Sequence, residues 1–294
     1  MRPETARSPF ATAALVLREI RVEHTLFALP FAYVGAILGA RGLPTFHDAL
    51  WITLAVLGAR TAAMATNRLV DREIDARNPR TARRALASGR LEPSVLVWTA
   101  AAGLVLLIVA AAQLAPICLR LLPLAALGIF AYPFCKRFFW GVHFVLGAID
   151  GCAPLGAYLA VTGRFTWSAV LLFVAVTIWV AGFDVIYALM DREVDLAQDL
   201  RSIPARFGER SGRRLPLMLH VAMALVLALA GLASAVGPLY YAGVALVFVL
   251  VWYENRSFAT AANVFVLNER VFVSNMVFSL GFLAATLAGF WRSA

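Results

Sequence analysis

Residues Leu215–Tyr253 read LPLMLHVAMALVLALAGLASAVGPLYYAGVALVFVLVWY, 39 residues without an Asp, Glu, Lys or Arg. A helix crosses a hydrocarbon core with ~20 apolar residues. The stretch is therefore too long for one crossing, and Gly237-Pro238 near its middle reads as a tight turn between two. Charge-free stretches recur at Leu26–Ala40, Pro93–Leu119, Leu121–Cys135, Phe165–Phe183 and Val271–Trp291. Ala49–Thr66, interrupted only by Arg60, and Phe144–Val161, interrupted only by Asp150, bring the expected count of transmembrane helices to nine.

The composition agrees. Of 294 residues, 62% are hydrophobic and 15% charged, where soluble domains carry roughly a quarter charged. In a polar chain a net charge of +9 would suggest nucleic acid. Here it points to a lipid bilayer, with no nucleic-acid partner. The expected fold is all-α: a single domain over 1–294, nine transmembrane helices around a central cavity, and two charged cytoplasmic loops capping it. The approximate helices are 24–40, 49–67, 95–115, 117–134, 144–161, 166–188, 215–235, 239–254 and 271–290. Nothing at the amino terminus reads as a removable signal peptide. Cys118, Cys135 and Cys152 lack metal or disulfide spacing and read as buried free thiols.

Basic residues orient such a chain. With the amino terminus inside, 21 of the 26 fall on inner segments. Two inner connections, Asp71–Glu92 and Asp191–Arg214, are long and charged. Mixed loops of this kind are ordinarily solvated connectors, yet each begins with an ordered acidic stripe. Asn67, Asp71 and Asp75 recur at i, i+4 and i+8, placing them at roughly 0°, 40° and 80° on one helix face. Asp184, Asp191 and Asp195 fall at roughly 0°, −20° and +20°. Carboxylates at a membrane boundary are costly without partners. Two readings follow: the acids pair with neighbouring arginines, or their hard oxygens hold Mg²⁺ and, through it, a diphosphate.

The stripes belong to longer motifs: Arg60-Thr-Ala-Ala-Met-Ala-Thr-Asn67-Arg-Leu-Val-Asp71-Arg-Glu-Ile-Asp75-Ala-Arg-Asn78-Pro79-Arg80-Thr81, then Asp184-Val-Ile-Tyr187, then Ser202-Ile-Pro204-Ala-Arg206-Phe-Gly208. With these, the chain resembles the UbiA superfamily of intramembrane prenyltransferases, marked by N-x-x-x-D-x-x-x-D after helix 2 and D-x-x-x-D after helix 6. Ile20-Arg21-Val-Glu23-His24-Thr-Leu-Phe-Ala-Leu-Pro30 resembles the branch that prenylates hydroxylated aromatic acids for quinone synthesis. Two departures stand out. Ala85-Leu86-Ala87-Ser88-Gly89 lacks an expected acid and proline, and Asp150 occupies a place expected to be small or apolar.

The resemblance implies transfer of a prenyl group from a polyprenyl diphosphate to an aromatic acid acceptor in a bacterial inner membrane. It implies Mg²⁺ held by Asn67, Asp71, Asp75, Asp191 and Asp195, with Asp184 assisting, and Lys136, Arg80 and Arg84 adding positive charge to the diphosphate. Tyr132, four residues before Lys136, shares its helix face; Tyr187 lies in the second motif, and Arg21 at the entrance of helix 1 meets substrate or a lipid headgroup. Arg60, two turns before Asn67, faces the same cavity, where it binds an acceptor carboxylate or pairs with Asp150 or Asp184. His24, His47, His143 and His220 lack metal-ligand spacing and read as interfacial or packed side chains. Other acceptors on the same fold (homogentisate, haem, chlorophyll, glycerol phosphate) remain open, as does a transporter built on Arg60 and Asp150.

Overall fold

The computed structural model describes residues 9–21 and 25–291. They form α1 (Pro9–Glu19), α2 (Thr25–Ala40), α3 (Phe46–Val70), α4 (Arg72–Arg77), α5 (Pro93–Ala112), α6 (Pro116–Cys135), α7 (Val142–Thr162), α8 (Trp167–Ala197), α9 (Ile203–Ser234), α10 (Pro238–Thr260) and α11 (Val264–Trp291). His24 lies outside the described residues. The starts obey local chemistry. Thr45 Oγ1 caps α3 by accepting from Asp48 N at 3.1 Å, Ser202 caps α9, and proline opens α5, α6 and α10, where its missing N–H costs nothing. Gly163, at φ 68°, ends α7 in the left-handed conformation that glycine adopts without strain.

Among the described residues, seven helices are long and apolar enough to cross a membrane: α3, α5, α6, α7, α8, α9 and most of α11; Ala28–Ala40 is a shorter apolar helix. The expected nine is therefore not returned by length and composition. Helix α2 is short, and α10, which is not among the seven, carries the polar run Glu254-Asn255-Arg256 before its end at Thr260. The second charged connection also differs from expectation. Helix α8 runs on to Ala197 and α9 begins at Ile203, so the expected loop Asp191–Arg214 is almost wholly helical, with a bend at Gly208. Charged residues outside the hydrocarbon still form helix when the apolar run on either side has nucleated it. Helix α1 has no counterpart among the expected helices; it is too short for the periodicity to register, and its Leu15 and Val16 pack on the buried cluster that includes Ala65, Leu86 and Leu96, whereas α4 carries on the expected Asn67–Asp75 stripe.

Consecutive long helices pack on one another around a ring, and α11 closes it against α2. Lipid supplies no hydrophobic drive for helix pairing, so small residues that permit close backbone approach decide which faces meet. A Cβ on Gly147 of α7 would stand 2.1 Å from the Thr177 carbonyl oxygen of α8, and one on Gly35 of α2 would stand 2.1 Å from the Pro154 carbonyl oxygen of α7. The far half of the ring has a different lock. His220 Nδ1 and Glu254 Oε2 lie 2.7 Å apart, Asn275 Nδ2 donates to Glu254 Oε1 at 2.8 Å, and Trp179 Nε1 donates to Asn275 Oδ1 at 2.6 Å. His220 is packed, as expected, and its partner carboxylate ties α9 to α10. The Trp179 ring in turn lies 4.7 Å from Phe31, joining α8 to α2.

Gly147→Ala is expected to cost roughly 1–3 kcal/mol by forcing α7 from α8. Gly156→Ala on the same helix, where nothing lies within 4 Å of the added Cβ, is expected to be neutral or to add up to about 1 kcal/mol through helix propensity. Thermal unfolding of the two variants in one detergent makes the comparison.

Candidate active site

The first acidic stripe does not lie on one unbroken helix. Asp71 ends α3 and opens α4 at φ −93°, ψ 3°. The register survives, because Asp71 N donates to Asn67 O at 3.0 Å and Asp75 N donates to Asp71 O at 2.8 Å. The second stripe is continuous on α8.

Every acid of the two stripes has a partner. Asp71 Oδ2 accepts from Lys136 Nζ at 2.5 Å and from Asn67 Nδ2 at 3.2 Å. Asp75 Oδ2 accepts from Arg84 Nη1 at 2.6 Å. Asp191 takes both arms of the Arg80 guanidinium, the Nε arm at 2.9 Å, together with Asn78 Nδ2 at 2.8 Å. Asp195 Oδ2 accepts from Ser202 Oγ at 2.8 Å, and Asp184 Oδ2 lies 2.6 Å from His143 Nδ1. Arg80 and Asn78 follow the first stripe and Asp191 belongs to the second, so this contact joins the two motifs directly. Arg201 N donating to Lys136 O at 2.6 Å closes the same end.

Deeper in the ring, Arg60 Nη1 donates to Asp150 Oδ1 at 3.3 Å, and the buried Arg60 Nε has no hydrogen-bond partner. Of the readings open for Arg60, the carboxylate it meets within the chain is Asp150. Tyr132 stands four residues before Lys136 on α6, about one turn deeper than the Lys136–Asp71 contact. Tyr187 stands four residues before Asp191 on α8, and Arg21 follows α1. The contacts seen join Asn67, Asp71 and Lys136, Asp75 and Arg84, and Asp191 and Arg80, whereas Asp184, Asp195 and Arg60 are bonded to His143, Ser202 and Asp150.

Two contributors were not singled out from sequence. Asn78 was visible within the first motif but carried no assigned role. His143 was read as interfacial or packed; it is buried, yet bonded to Asp184. Its partner lies 41 positions away, so no local spacing could have revealed it.

Among the described residues no three His, Cys, Asp or Glu side chains converge as a metal cage. Mg²⁺ needs less, since it binds through one or two carboxylates, waters and substrate phosphate oxygens. The donor set fits that demand: it is all oxygen, and Asp71 Oδ1 is buried without a hydrogen-bond partner. Burial pushes the Asp71 carboxyl above its ordinary range, and the Lys136 cation opposes this.

Fold and site define the class first: an all-α, multi-pass membrane protein with facing carboxylate and cation clusters at one end. The profile of the UbiA prenyltransferase family matches residues 28–276, and the chain belongs to that family. It is a prenyltransferase. It is 32% identical over 212 residues, 71% of each chain, to the 4-hydroxybenzoate octaprenyltransferase of Pseudomonas entomophila. Against the 4-hydroxybenzoate octaprenyltransferase of Alkalilimnicola ehrlichii it is 33% identical over 228 residues, 75% of each. Among solved structures, the apo UbiA homolog from Aeropyrum pernix K1 superposes with a TM-score of 0.79 at 32% identity, covering 93% of this chain and 98% of that one. The UbiA homolog from Archaeoglobus fulgidus bound to GPP and Mg²⁺ shares the fold, with a TM-score of 0.69 at 18% identity over 93% and 99%.

Asp150→Asn is expected to leave the Arg60 charge without its counter-ion and to destabilise the protein by on the order of 3 kcal/mol. Removing both charges, as Arg60→Leu/Asp150→Leu, is expected to recover most of that loss. Thermal unfolding of the single and double variants measures the difference.

Proposed function

We propose that this protein transfers a polyprenyl group from an allylic polyprenyl diphosphate to a ring carbon of a hydroxylated aromatic acid, 4-hydroxybenzoate or a dihydroxynaphthoate, for ubiquinone or menaquinone synthesis. The observation that carries the reading is the two-level site: two acidic stripes with cations at one end, and one arginine deeper on the same helix. The similarity to relatives named 4-hydroxybenzoate octaprenyltransferase supports the acceptor class. In the bacterial inner membrane, α2 and α10 would complete nine crossings, with one domain over 1–294 and the amino terminus and active-site end cytoplasmic.

Asn67, Asp71, Asp75, Asp191 and Asp195, with Asp184 assisting, would hold Mg²⁺, which neutralises the diphosphate as it leaves. Lys136, Arg80 and Arg84, released from Asp71, Asp191 and Asp75, turn toward the phosphate oxygens and replace one anionic partner with another. The Tyr132 hydroxyl, between the levels, donates to a bridging oxygen. Cleavage of the allylic C–O bond leaves a carbocation; a ring carbon of the acceptor attacks it, forming the C–C bond, and the ring then loses its proton. Arg60 stands seven residues before Asn67, about 10 Å deeper along α3. Its unpartnered Nε faces the acceptor carboxylate and sets the ring beneath the departing diphosphate.

Purified protein given 4-hydroxybenzoate and geranyl diphosphate is expected to form the prenylated acid, identified by mass, with Mg²⁺ and not with chelator. Asp71→Asn and Asp191→Asn are expected to lower turnover by on the order of 10²-fold or more. If either keeps full activity with Mg²⁺, the metal assignment fails; if no aromatic acid is prenylated, the acceptor is another compound.

Arg60→Leu is expected to raise the KM for the aromatic acid by about 10- to 100-fold, the range of a lost charged hydrogen bond, and to leave the KM for geranyl diphosphate near its starting value. Initial rates with each substrate varied in turn check this.

A further inference from the structure

His143 is 2% exposed and sits on the first turn of α7, away from both aspartate stripes in sequence. Its two ring nitrogens face different elements. The backbone N–H of Ile203, at the start of α9, donates to Nε2 at 3.2 Å. A backbone amide has only a hydrogen to offer, so Nε2 carries the lone pair and the ring hydrogen sits on Nδ1. Nδ1 then donates to Asp184 Oδ2 at 2.6 Å. The amide of Ile203 therefore dictates which way the ring donates.

The same helix start holds a second acid of α8. Ser202, the residue before Ile203, caps α9 through its Oγ, which also donates to Asp195 Oδ2 at 2.8 Å. Asp184 and Asp195 are both moored to the beginning of α9, one through His143 and one through Ser202. The mooring uses Oδ2 of Asp184, and among the described residues no hydrogen bond to Oδ1 is seen. Asp184 stands seven residues before Asp191, about 10 Å deeper along α8, and its partner His143 stands seven residues before Asp150 on α7.

We propose that His143 is the positioning residue for Asp184: its Nδ1–H, oriented by the Ile203 amide, pins one carboxylate oxygen and turns the other into the site. This rests on the prenyl-transfer reading and adds to it a residue that touches no substrate. An unpinned carboxylate would rotate about its χ angles and spend little time aimed inward, so the loss falls on turnover and not on substrate capture. Substitution of partners that orient a reactive side chain in this way costs on the order of 10- to 100-fold.

The test compares His143→Met, which keeps the bulk and removes both bonds, with His143→Gln, whose terminal amide carries a donor and an acceptor together. His143→Met is expected to lower kcat by about 10- to 100-fold with both KM values near wild type, and His143→Gln to restore most of the loss. In an Asp184→Asn background, His143→Met is expected to cost nothing further, since the residue it serves is already gone. Equal losses for Gln and Met, or additive losses with Asp184→Asn, would reduce His143 to a packing residue and overturn the proposal. Nitrogen-15 spectra of histidine-labelled protein give a readout that needs no turnover: a neutral His143 ring with hydrogen on Nδ1 is expected, and hydrogen on Nε2 overturns the proposal. Failure of wild-type protein to prenylate an aromatic acid would instead count against the acceptor reading and leave the ring assignment to the spectra.

Discussion

The grip of Arg80 and Asn78 on Asp191 is the constraint on which the site depends. It takes the chain following the first acidic stripe and fixes it to the second, with Arg80 111 positions from Asp191. A bidentate guanidinium–carboxylate pair carries direction as well as attraction. Asn78 shares the same carboxylate. Arg80 brings with it the turn that carries Arg84, which closes on Asp75. Without the joint, two half-sites would stand on separate helices, each with its own local charge balance.

That balance explains how so many acids are tolerated at a membrane boundary. Asp71, Asp75 and Asp191 each carry a cationic partner, while Asp184 and Asp195 are held by neutral donors, the His143 ring and the Ser202 hydroxyl. The division is chemically sensible. Lys136, Arg84 and Arg80 can exchange a carboxylate for a phosphate at little electrostatic cost, because an anion replaces an anion. Neutral donors have no such alternative, so the acids they hold are fixed points around which the rest rearranges. The buried and hydrogen-bond-deficient Asp71 Oδ1 lies on the exchangeable side.

Much of this was legible in the sequence because it is periodic or local. Every expected transmembrane segment lies within or closely overlaps a helix, since charge-free runs such as Leu215–Tyr253 leave no other way to satisfy the backbone in lipid. Gly237-Pro238 is the turn between α9 and α10. The i, i+4, i+8 spacing of Asn67, Asp71 and Asp75 persists even where α3 gives way to α4, because the backbone bonds through Asp71 keep helical register. What the sequence hid is long-range. His143 carries no local signal of its partner, since Asp184 lies 41 positions away, whereas His47 is exposed beside its sequence neighbour Asp48. Helix α1 escaped notice for another reason: its eleven residues are stabilised by the surface they cover, not by their own pattern.

The depth of Arg60 bears on why the ring is divided as it is. Lys136 ends α6 and Arg80 and Arg84 follow α4, while the Arg60–Asp150 pair joins α3 to α7. A lone arginine at that level would be costly, and Asp150 offsets it without using up the guanidinium, whose Nε stays unpaired. On the proposed reading, the resting protein thus keeps a carboxylate in place for each anion the substrates bring: Asp71, Asp75 and Asp191 for the diphosphate, and Asp150 for the acceptor acid. The two levels differ in what happens next. At the upper one the native carboxylates are displaced. At the lower one Asp150 keeps its bond to Nη1 while the free Nε takes the newcomer, so the arginine is never stripped of charge balance while the acceptor enters or leaves. An acceptor without a carboxylate would forgo that contact and leave the Nε hydrogen unsatisfied, a penalty of about 1–3 kcal/mol set by desolvation alone. On the proposed reading, discrimination at this depth comes from the charge an acid brings to that hydrogen, since a carboxylate makes a stronger bond to a guanidinium N–H than a neutral oxygen does.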